Sequence, residues 1–222
     1  MKKYISSVLA AALVSTLMVG CSDDNDDNSN PPAQDVGFNG IFVDRQVDGV
    51  SFSCPGVDGN PLQGTTHDGG EFGVCATGST VSFSVGNLVL GSMAQTNDNI
   101  FTPRGIAGGD NDAANQIASL VLSLSTSSVN AEGETVLTIG TAAVEALNLE
   151  VVAAVDIATI SAETLSETIE AVVSNETTDL EVVTPEEAES HMNEVAEEIS
   201  DGTIVAPHQP ELPATTGSVG VN

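Results

Sequence analysis

The sequence predicts an α+β protein in which a small, disulfide-stapled antiparallel β-sandwich-like unit is followed by a helical region. Three observations support this prediction. Apolar and polar residues alternate in short runs between residues 50 and 92, with the period of a strand. Two cysteines, Cys54 and Cys75, end two of these runs. From Ile117 onward, apolar residues recur at intervals of three and four, with the period of a helix.

The N-terminal segment has the pattern of an export signal. Lys2 and Lys3 precede an uncharged, mostly apolar run over residues 4–19, the order of a basic region and an apolar region in signal peptides. The run has about 16 residues, short of the roughly 20 that a membrane-spanning helix needs. The sequence therefore predicts that residues 1–20 are a cleaved signal peptide.

The end of this segment, LMVGC at residues 17–21, resembles the lipobox of bacterial lipoproteins. The resemblance implies that Cys21 is lipidated by a diacylglycerol on its sulfur and becomes the acylated first residue of the mature chain. The lipid bilayer is then a partner of the protein through its N-terminal acyl chains. Ser22 stands where family members of the inner membrane commonly carry Asp, so the resemblance implies a lipid anchor in the cell outer membrane, facing the periplasm or the surface.

Residues 21–35 are predicted to be an acidic disordered tether. The stretch SDDNDDNSNPPAQ, at residues 22–34, offers nothing apolar to bury and ends in prolines. Its aspartates lack the regular spacing of a calcium-binding loop of the helix–loop–helix type. We expect the segment to hold the folded part away from the membrane.

Charge and composition exclude some functions. Loss of residues 1–20 leaves Arg45 and Arg104 as the only basic side chains besides histidine, against 32 acidic residues. Such a chain repels phosphates, so we expect no nucleic-acid partner. The hydrophobic content of 41% indicates a folded chain, and the aromatic content of 3% predicts an aliphatic core.

Residues 36–95 are predicted to form the β module. The strand-like runs are bounded by turns rich in Gly, Asn and Asp, and they cover residues 50–54, 71–75, 80–86 and 88–92. In an oxidising envelope compartment the even pair Cys54 and Cys75 predicts a disulfide. A closed loop of about 20 residues stabilises a fold by roughly 3 kcal/mol.

Two further resemblances concern this module. GTTHDGGEFGV, residues 64–74, resembles the G-x-T-D-x-x-G-x-F turn of transthyretin-like modules, which include carboxypeptidase-regulatory-like domains; His67-Asp68 departs from the usual placement by one residue. The order of motifs over residues 40–200 resembles an uncharacterised module of envelope lipoproteins and secreted proteins of marine gammaproteobacteria. The resemblance implies a disulfide-bearing β unit followed by helices, and it implies no mechanism.

Residues 96–202 are predicted to be mainly helical. One apolar stripe comprises Ile117, Leu120, Val121 and Leu124. Ser161 is predicted to cap a second helix, and Thr184 with Glu187 forms a capping box for a third. The pattern does not decide the state of residues 142–147 and 151–157. Residues 203–222 lack apolar periodicity and are predicted to be a disordered tail.

Few residues suggest chemistry. Asp98, Asp110 and Asp112 have the hard oxygens that Ca²⁺ prefers, but a helix cap explains such a Gly-Asp-Asn-Asp sequence better. His191 has Glu187 and Glu194 within one helical turn, yet no second histidine completes a zinc motif, which favours a packing role. No nucleophile elbow, phosphate loop or dinucleotide fingerprint occurs. We therefore expect no catalytic residue, no metal and no cofactor.

These observations predict a membrane-anchored envelope lipoprotein with a non-enzymatic role in binding, adhesion or structure, with a possible envelope protein partner. One alternative is a calcium-binding module that uses Asp98, Asp110 and Asp112. Another is an accessory subunit, or an enzyme whose site is assembled from scattered residues.

Overall fold

The computed structural model describes residues 36–130, 133, 135–175 and 180–211. The predicted signal peptide, Cys21 and the predicted tether lie outside the described residues, and so does the predicted tail beyond residue 211. The described residues all belong to one unit. Strands precede the main helices along the chain, which confirms the predicted α+β class.

Strands make up the first part of the described chain. They are β1 (Phe38–Phe42), β2 (Gln46–Asp48), β3 (Ser51–Pro55), β4 (Pro61–Thr65), β5 (Glu71–Cys75), β6 (Thr80–Val85), β7 (Leu88–Ala94) and β8 (Ile100–Phe101). The four predicted strand runs correspond to β3, β5, β6 and β7. Val81, Phe83 and Val85 of β6 are buried, as their alternation predicts.

Helices dominate the second part, with three short strands between them. In chain order the elements are α1 (Pro103–Ile106), α2 (Asn111–Ser123), β9 (Ser125–Val129), β10 (Thr135–Ile139), α3 (Thr141–Glu150), β11 (Val155–Asp156), a 3₁₀ turn (Ile157–Thr159), α4 (Ala162–Asn175) and α5 (Pro185–Ser200). The strands β9 to β11 differ from the prediction of a mainly helical region. Two of them pair with earlier strands, β10 with β2 and β11 with β7, and β9 pairs with β10.

The strands form three sheets. The largest has the order β11-β7-β6-β3-β4, and two three-stranded sheets have the orders β5-β1-β8 and β2-β10-β9. The pairs between β1 and β5, β3 and β4, β3 and β6, and β6 and β7 are antiparallel, as predicted for the β module. Parallel pairs arise only where a later strand, β8, β10 or β11, joins an earlier one in the described residues.

The core is mainly aliphatic, as the composition predicts, and a cluster of phenylalanine rings lies within it. All six phenylalanines of the chain are buried, and their rings form a chain of contacts with centroids 5.1 to 6.2 Å apart. They are Phe38, Phe42, Phe52, Phe72, Phe83 and Phe101. Three sheets can bring these rings together although they are few, and aliphatic side chains of the sheets and helices pack around them. This core crosses the predicted boundary at residues 95 and 96.

The helices bury the faces that their periods predict. Ile117, Leu120, Val121 and Leu124 are fully buried. Helix α5 packs on α2 through a cluster of Ala114, Ala118, Ala188 and Met192. Its other side packs against the outer side of β1 and β8, through a cluster of Ile41, Val43, Ile100, Val195 and Ile204. Helix α5 therefore joins the helices to the sheet β5-β1-β8.

Residues 203–211 differ from the prediction of a disordered tail. Ile204 is buried against the same cluster. The Gln209 side chain binds the main chain of Asn39 in both directions: its Oε1 accepts from the Asn39 amide at 3.1 Å, and its Nε2 donates to the Asn39 carbonyl at 3.0 Å. Sequence periodicity misses such a segment because it docks through isolated contacts. Within the described residues, no helix combines the length and apolarity needed to cross a membrane.

The predicted capping box of α5 is present. The Glu187 amide donates to Thr184 Oγ1 at 3.3 Å, and the Thr184 amide donates to Glu187 Oε2 at 2.9 Å. Thr184→Ala should lower the free energy of unfolding by about 1 kcal/mol, because amides of the first turn lose an acceptor. Urea unfolding followed by circular dichroism measures this, with Thr184→Ser as the control that retains the cap. An alanine variant as stable as the serine variant would contradict the role of the box.

Candidate functional site

The predicted disulfide between Cys54 and Cys75 is confirmed. Cys54 lies in β3 of the five-stranded sheet, Cys75 ends β5 of the sheet β5-β1-β8, and their Cα atoms are 5.8 Å apart. Both cysteines are buried. The bond therefore joins two different sheets at the core, which suits a structural disulfide and offers no exposed sulfur for exchange.

The three aspartates of the calcium alternative serve separate local purposes or face solvent. Asp110 caps α2, since its Oδ1 accepts from the Ala113 amide at 3.1 Å. Asp98 Oδ1 accepts from the Ile100 amide at 3.2 Å, and Asp112 is exposed in the first turn of α2. Across residues 36–130, 133, 135–175 and 180–211, no group of three or more His, Cys, Asp or Glu side chains is placed to hold a metal ion.

Two of the three histidines lie at the surface. His67 Nδ1 is 3.0 Å from Oδ2 of its neighbour Asp68, and His208 Nε2 is 3.9 Å from Glu211 Oε1, with both pairs largely exposed. His191 is different because its side chain is only 16% exposed and its Nε2 lies 3.6 Å from Oδ1 of Asp44. The structure thus brings one predicted candidate, His191, next to a residue that sequence reasoning did not select.

Asp44 owes its position to a tight hairpin turn. Val43 and Gln46 form an antiparallel bridge, so that Asp44 and Arg45 are the two turn residues between β1 and β2. Arg45 adopts a left-handed backbone with φ of 56°, a conformation that is uncommon for residues other than glycine. Helix α5 packs over the turn, and Asp44 becomes fully buried with neither carboxylate oxygen hydrogen-bonded.

Burial controls the charge of Asp44. Loss of solvation raises the pKa of its carboxyl to about 7, and the adjacent positive charge of Arg45 opposes the rise. Around neutral pH the carboxyl is therefore near its titration midpoint. A buried carboxyl that gains and loses a proton in this range is a group whose charge other molecules can shift.

The pKa of His191 moves in the direction that favours the neutral ring. Burial is the largest cause of its lowering, the positive charge of Arg45 adds to it, and the acidic side chains of Glu194 and Glu198 oppose it. Burial therefore favours the neutral form of both side chains. This arrangement suits their enclosure between the turn and the helix.

Both arginines of the chain meet α5 beside this pair. Arg45 Nη2 lies 3.6 Å from Glu194 Oε2, and Arg104 Nη2 donates to Asn193 Oδ1 at 2.7 Å. A chain with 32 acidic residues thus places its only two arginines against consecutive residues of one helix. Asp44 is the one charged residue that is buried in the described part of the chain, and we take the turn, α1 and α5 around it as the candidate functional site.

Sequence reasoning missed Asp44 because an Asp-Arg pair between two short apolar runs is the ordinary sequence of an exposed turn. The one feature of the sequence that could have pointed to this site is the scarcity of basic residues. Two arginines kept amid so many acids suggest specific partners, but the sequence does not say that both partners lie on α5.

A comparison of the chain with protein-family models, with curated proteins and with solved structures found no match.

Proposed function

We propose that the chain is a non-enzymatic lipoprotein of the bacterial outer membrane, anchored through acyl chains on Cys21, whose α+β unit serves binding, adhesion or structure in the envelope. The observation that carries the proposal is the LMVGC motif at the end of the apolar run over residues 4–19. Several acyl chains give a stable anchor, since each buried methylene contributes about 0.8 kcal/mol.

The disulfide supports the proposed location in the cell envelope. Structural disulfides form and persist in oxidising compartments and are rare in the cytosol. Cys54 and Cys75 meet across two sheets inside the core, so the folded unit suits a protein that folds after export.

The placement of the ionisable side chains supports a role without catalysis. His67 and His208 lie at the surface beside single acidic neighbours. His191 faces a carboxyl that is itself enclosed by apolar side chains of α5 and the β1–β2 turn. Such an arrangement favours binding or structural coupling of α5 to the sheet.

The anchor is tested by replacing Cys21 with serine in the full chain, expressed in a bacterial host that processes lipoproteins. The unchanged chain should appear in the membrane fraction with the mass of a cleaved, triacylated protein. Cys21→Ser should leave that fraction, because the hydroxyl accepts no thioether-linked diacylglycerol and the hydrophobic anchor is lost.

A matched control separates the anchor from the fold. The double variant Cys54→Ala/Cys75→Ala removes the other two cysteines, and it should remain in the membrane fraction. A Cys21→Ser chain that stays membrane-bound in the same proportion as the unchanged chain, or an intact mass without acyl groups at Cys21, would contradict the proposal.

A further inference from the structure

Strand β9 ends the sheet β2-β10-β9, and one of its edges is open. It pairs with β10 over five consecutive residues without a register shift, and no second strand pairs with it in the part of the chain that the structure describes. Residues 126–129 are exposed, Val129 to 68%. At an open edge, every second residue directs its main-chain amide and carbonyl away from the sheet. These groups of β9 are available to an extended strand.

β9 lacks the features that keep an edge strand from pairing. Edge strands are commonly very short, bent by a bulge, interrupted by proline or supplied with charged side chains. The edge strand β4 of the five-stranded sheet contains Pro61 and also Gly64, which weakens a strand. The sequence of β9, STSSV, contains no proline, glycine or charge, and its register is unbroken. Of these two edges, that of β9 is the better acceptor of a further strand.

The charge pattern favours a second copy of the chain as the occupant of this edge. Residues 113–131 contain no charged side chain, although the chain has 32 acidic residues. The nearest acids in the sequence, Asp112 and Glu132, lie outside β9. Two copies can therefore align this strand without placing one carboxylate against another, whereas acidic residues elsewhere repel a second copy.

The sequence of β9 is also complementary to itself. An antiparallel pair centred on Ser127 places this residue opposite its counterpart, Thr126 opposite Ser128, and Ser125 opposite Val129. Cross-strand pairs of Ser and Thr form hydrogen bonds and contribute to the stability of a sheet. Such a pair has a two-fold axis, the commonest symmetry of protein dimers.

We propose that two copies of the chain associate through antiparallel pairing of their β9 strands, which joins two three-stranded sheets into one six-stranded sheet. Main-chain hydrogen bonds provide the affinity, as in other cases of strand addition. Two five-residue strands bury less surface than a standard protein interface, so the dimer is weak and forms reversibly. This association does not require the acyl anchor at Cys21.

Cysteine trapping in the full Cys21→Ser chain tests the pairing. Cys54 and Cys75 are joined in a disulfide, so an added Ser127→Cys provides the one free thiol. In the proposed dimer the two Cα atoms at this position are about 4.5 to 5.5 Å apart, within the range of a disulfide. Mild oxidation should therefore give a covalent dimer, which gel electrophoresis without reductant detects. Ser82→Cys, at an exposed position of β6, is the matched control and should stay monomeric.

Sedimentation of the full chain in density-matched detergent measures the reversible association. The dimer fraction should rise with protein concentration. It should also rise when salt is increased from about 0.05 M to about 0.5 M, because salt screens the repulsion between two acidic copies. Ser127→Glu should raise the dissociation constant several-fold, since two carboxylates then face each other across the axis. Ser82→Glu adds the same charge away from β9 and Ser127→Thr adds none, so both should associate as the unchanged chain does.

Three results would each overturn the proposal. They are a chain that stays monomeric at every concentration and salt, Ser127→Cys that is trapped no more than Ser82→Cys, and Ser127→Glu that associates as well as the unchanged chain. A monomeric chain would leave the edge of β9 to a strand of another protein. Failure of acylation at Cys21 would leave the trapping result unchanged, because the trapped chain carries serine there.

Discussion

The unchanged chain should become less stable as the pH rises from about 4 to 8, and Asp44→Asn should not show this decrease. The folded-state pKa of Asp44 is raised from 3.8 to about 7 because the carboxyl is fully buried. The folded chain then binds more protons than the unfolded chain over this range, and its free energy of unfolding falls with rising pH. At 1.36 kcal/mol for each pKa unit, the loss amounts to roughly 4 kcal/mol.

The sign of the effect follows from proton linkage. Stability from the neutral carboxyl is fully present below the unfolded pKa of 3.8 and is lost as the pH passes the folded value. His191 acts in the other direction: its lowered pKa means that stability from the neutral ring is lost as the pH falls below its ordinary value. The two effects oppose each other where their pH ranges overlap below 6.5, and the effect of Asp44 is the one that its replacement removes.

The measurement is urea unfolding of Asp44→Asn and the unchanged chain at several pH values between 4 and 8. The difference in free energy of unfolding between the two should shift by roughly 4 kcal/mol in favour of the asparagine variant as the pH rises. Asp112→Asn, an exposed aspartate with the same substitution, should show a difference that hardly changes with pH. A pH-independent difference for Asp44→Asn would mean that Asp44 titrates as in the unfolded chain.

The sequence predicts those elements whose structure depends on residues a few positions apart in the chain. The alternation of Val81, Phe83 and Val85 identified β6, and the Thr184–Glu187 box identified the start of α5. Both signals are local, because a strand face and a helix cap are set by residues a few positions apart. The pairing of Cys54 with Cys75 was predicted because they are the only two cysteines after Cys21 and the expected compartment is oxidising.

The candidate site depends on contacts between distant parts of the chain. Asp44 is buried because α5 packs over its turn, and Arg104 and Asn193 meet only once α1 and α5 are in place. The parallel pairing of β1 with β8 and of β2 with β10 is likewise between distant segments. Periodicity reports which face of an element is apolar and does not report which element covers it. The centre of the site therefore required the structure.

Removing the disulfide should have the second large effect on stability. Cys54→Ala/Cys75→Ala should lower the free energy of unfolding by about 3 kcal/mol, because the unfolded chain regains the freedom of a loop whose ends are 21 residues apart. The bond also holds β3 of one sheet to β5 of another, so the two sheets lose their covalent link at the core. The packing of the shared core and the hydrogen bond from the Ala76 amide to the Pro55 carbonyl, at 2.7 Å, remain when the bond is removed.

Urea unfolding with and without dithiothreitol measures this effect and provides its own control. Reductant should shift the midpoint of the unchanged chain to that of the double variant, and it should leave the double variant unmoved. The slope with urea should rise on loss of the bond, because an uncross-linked unfolded chain exposes more surface. A double variant as stable as the oxidised chain would show that packing alone holds the sheets together, and the disulfide would then no longer support folding in an oxidising compartment.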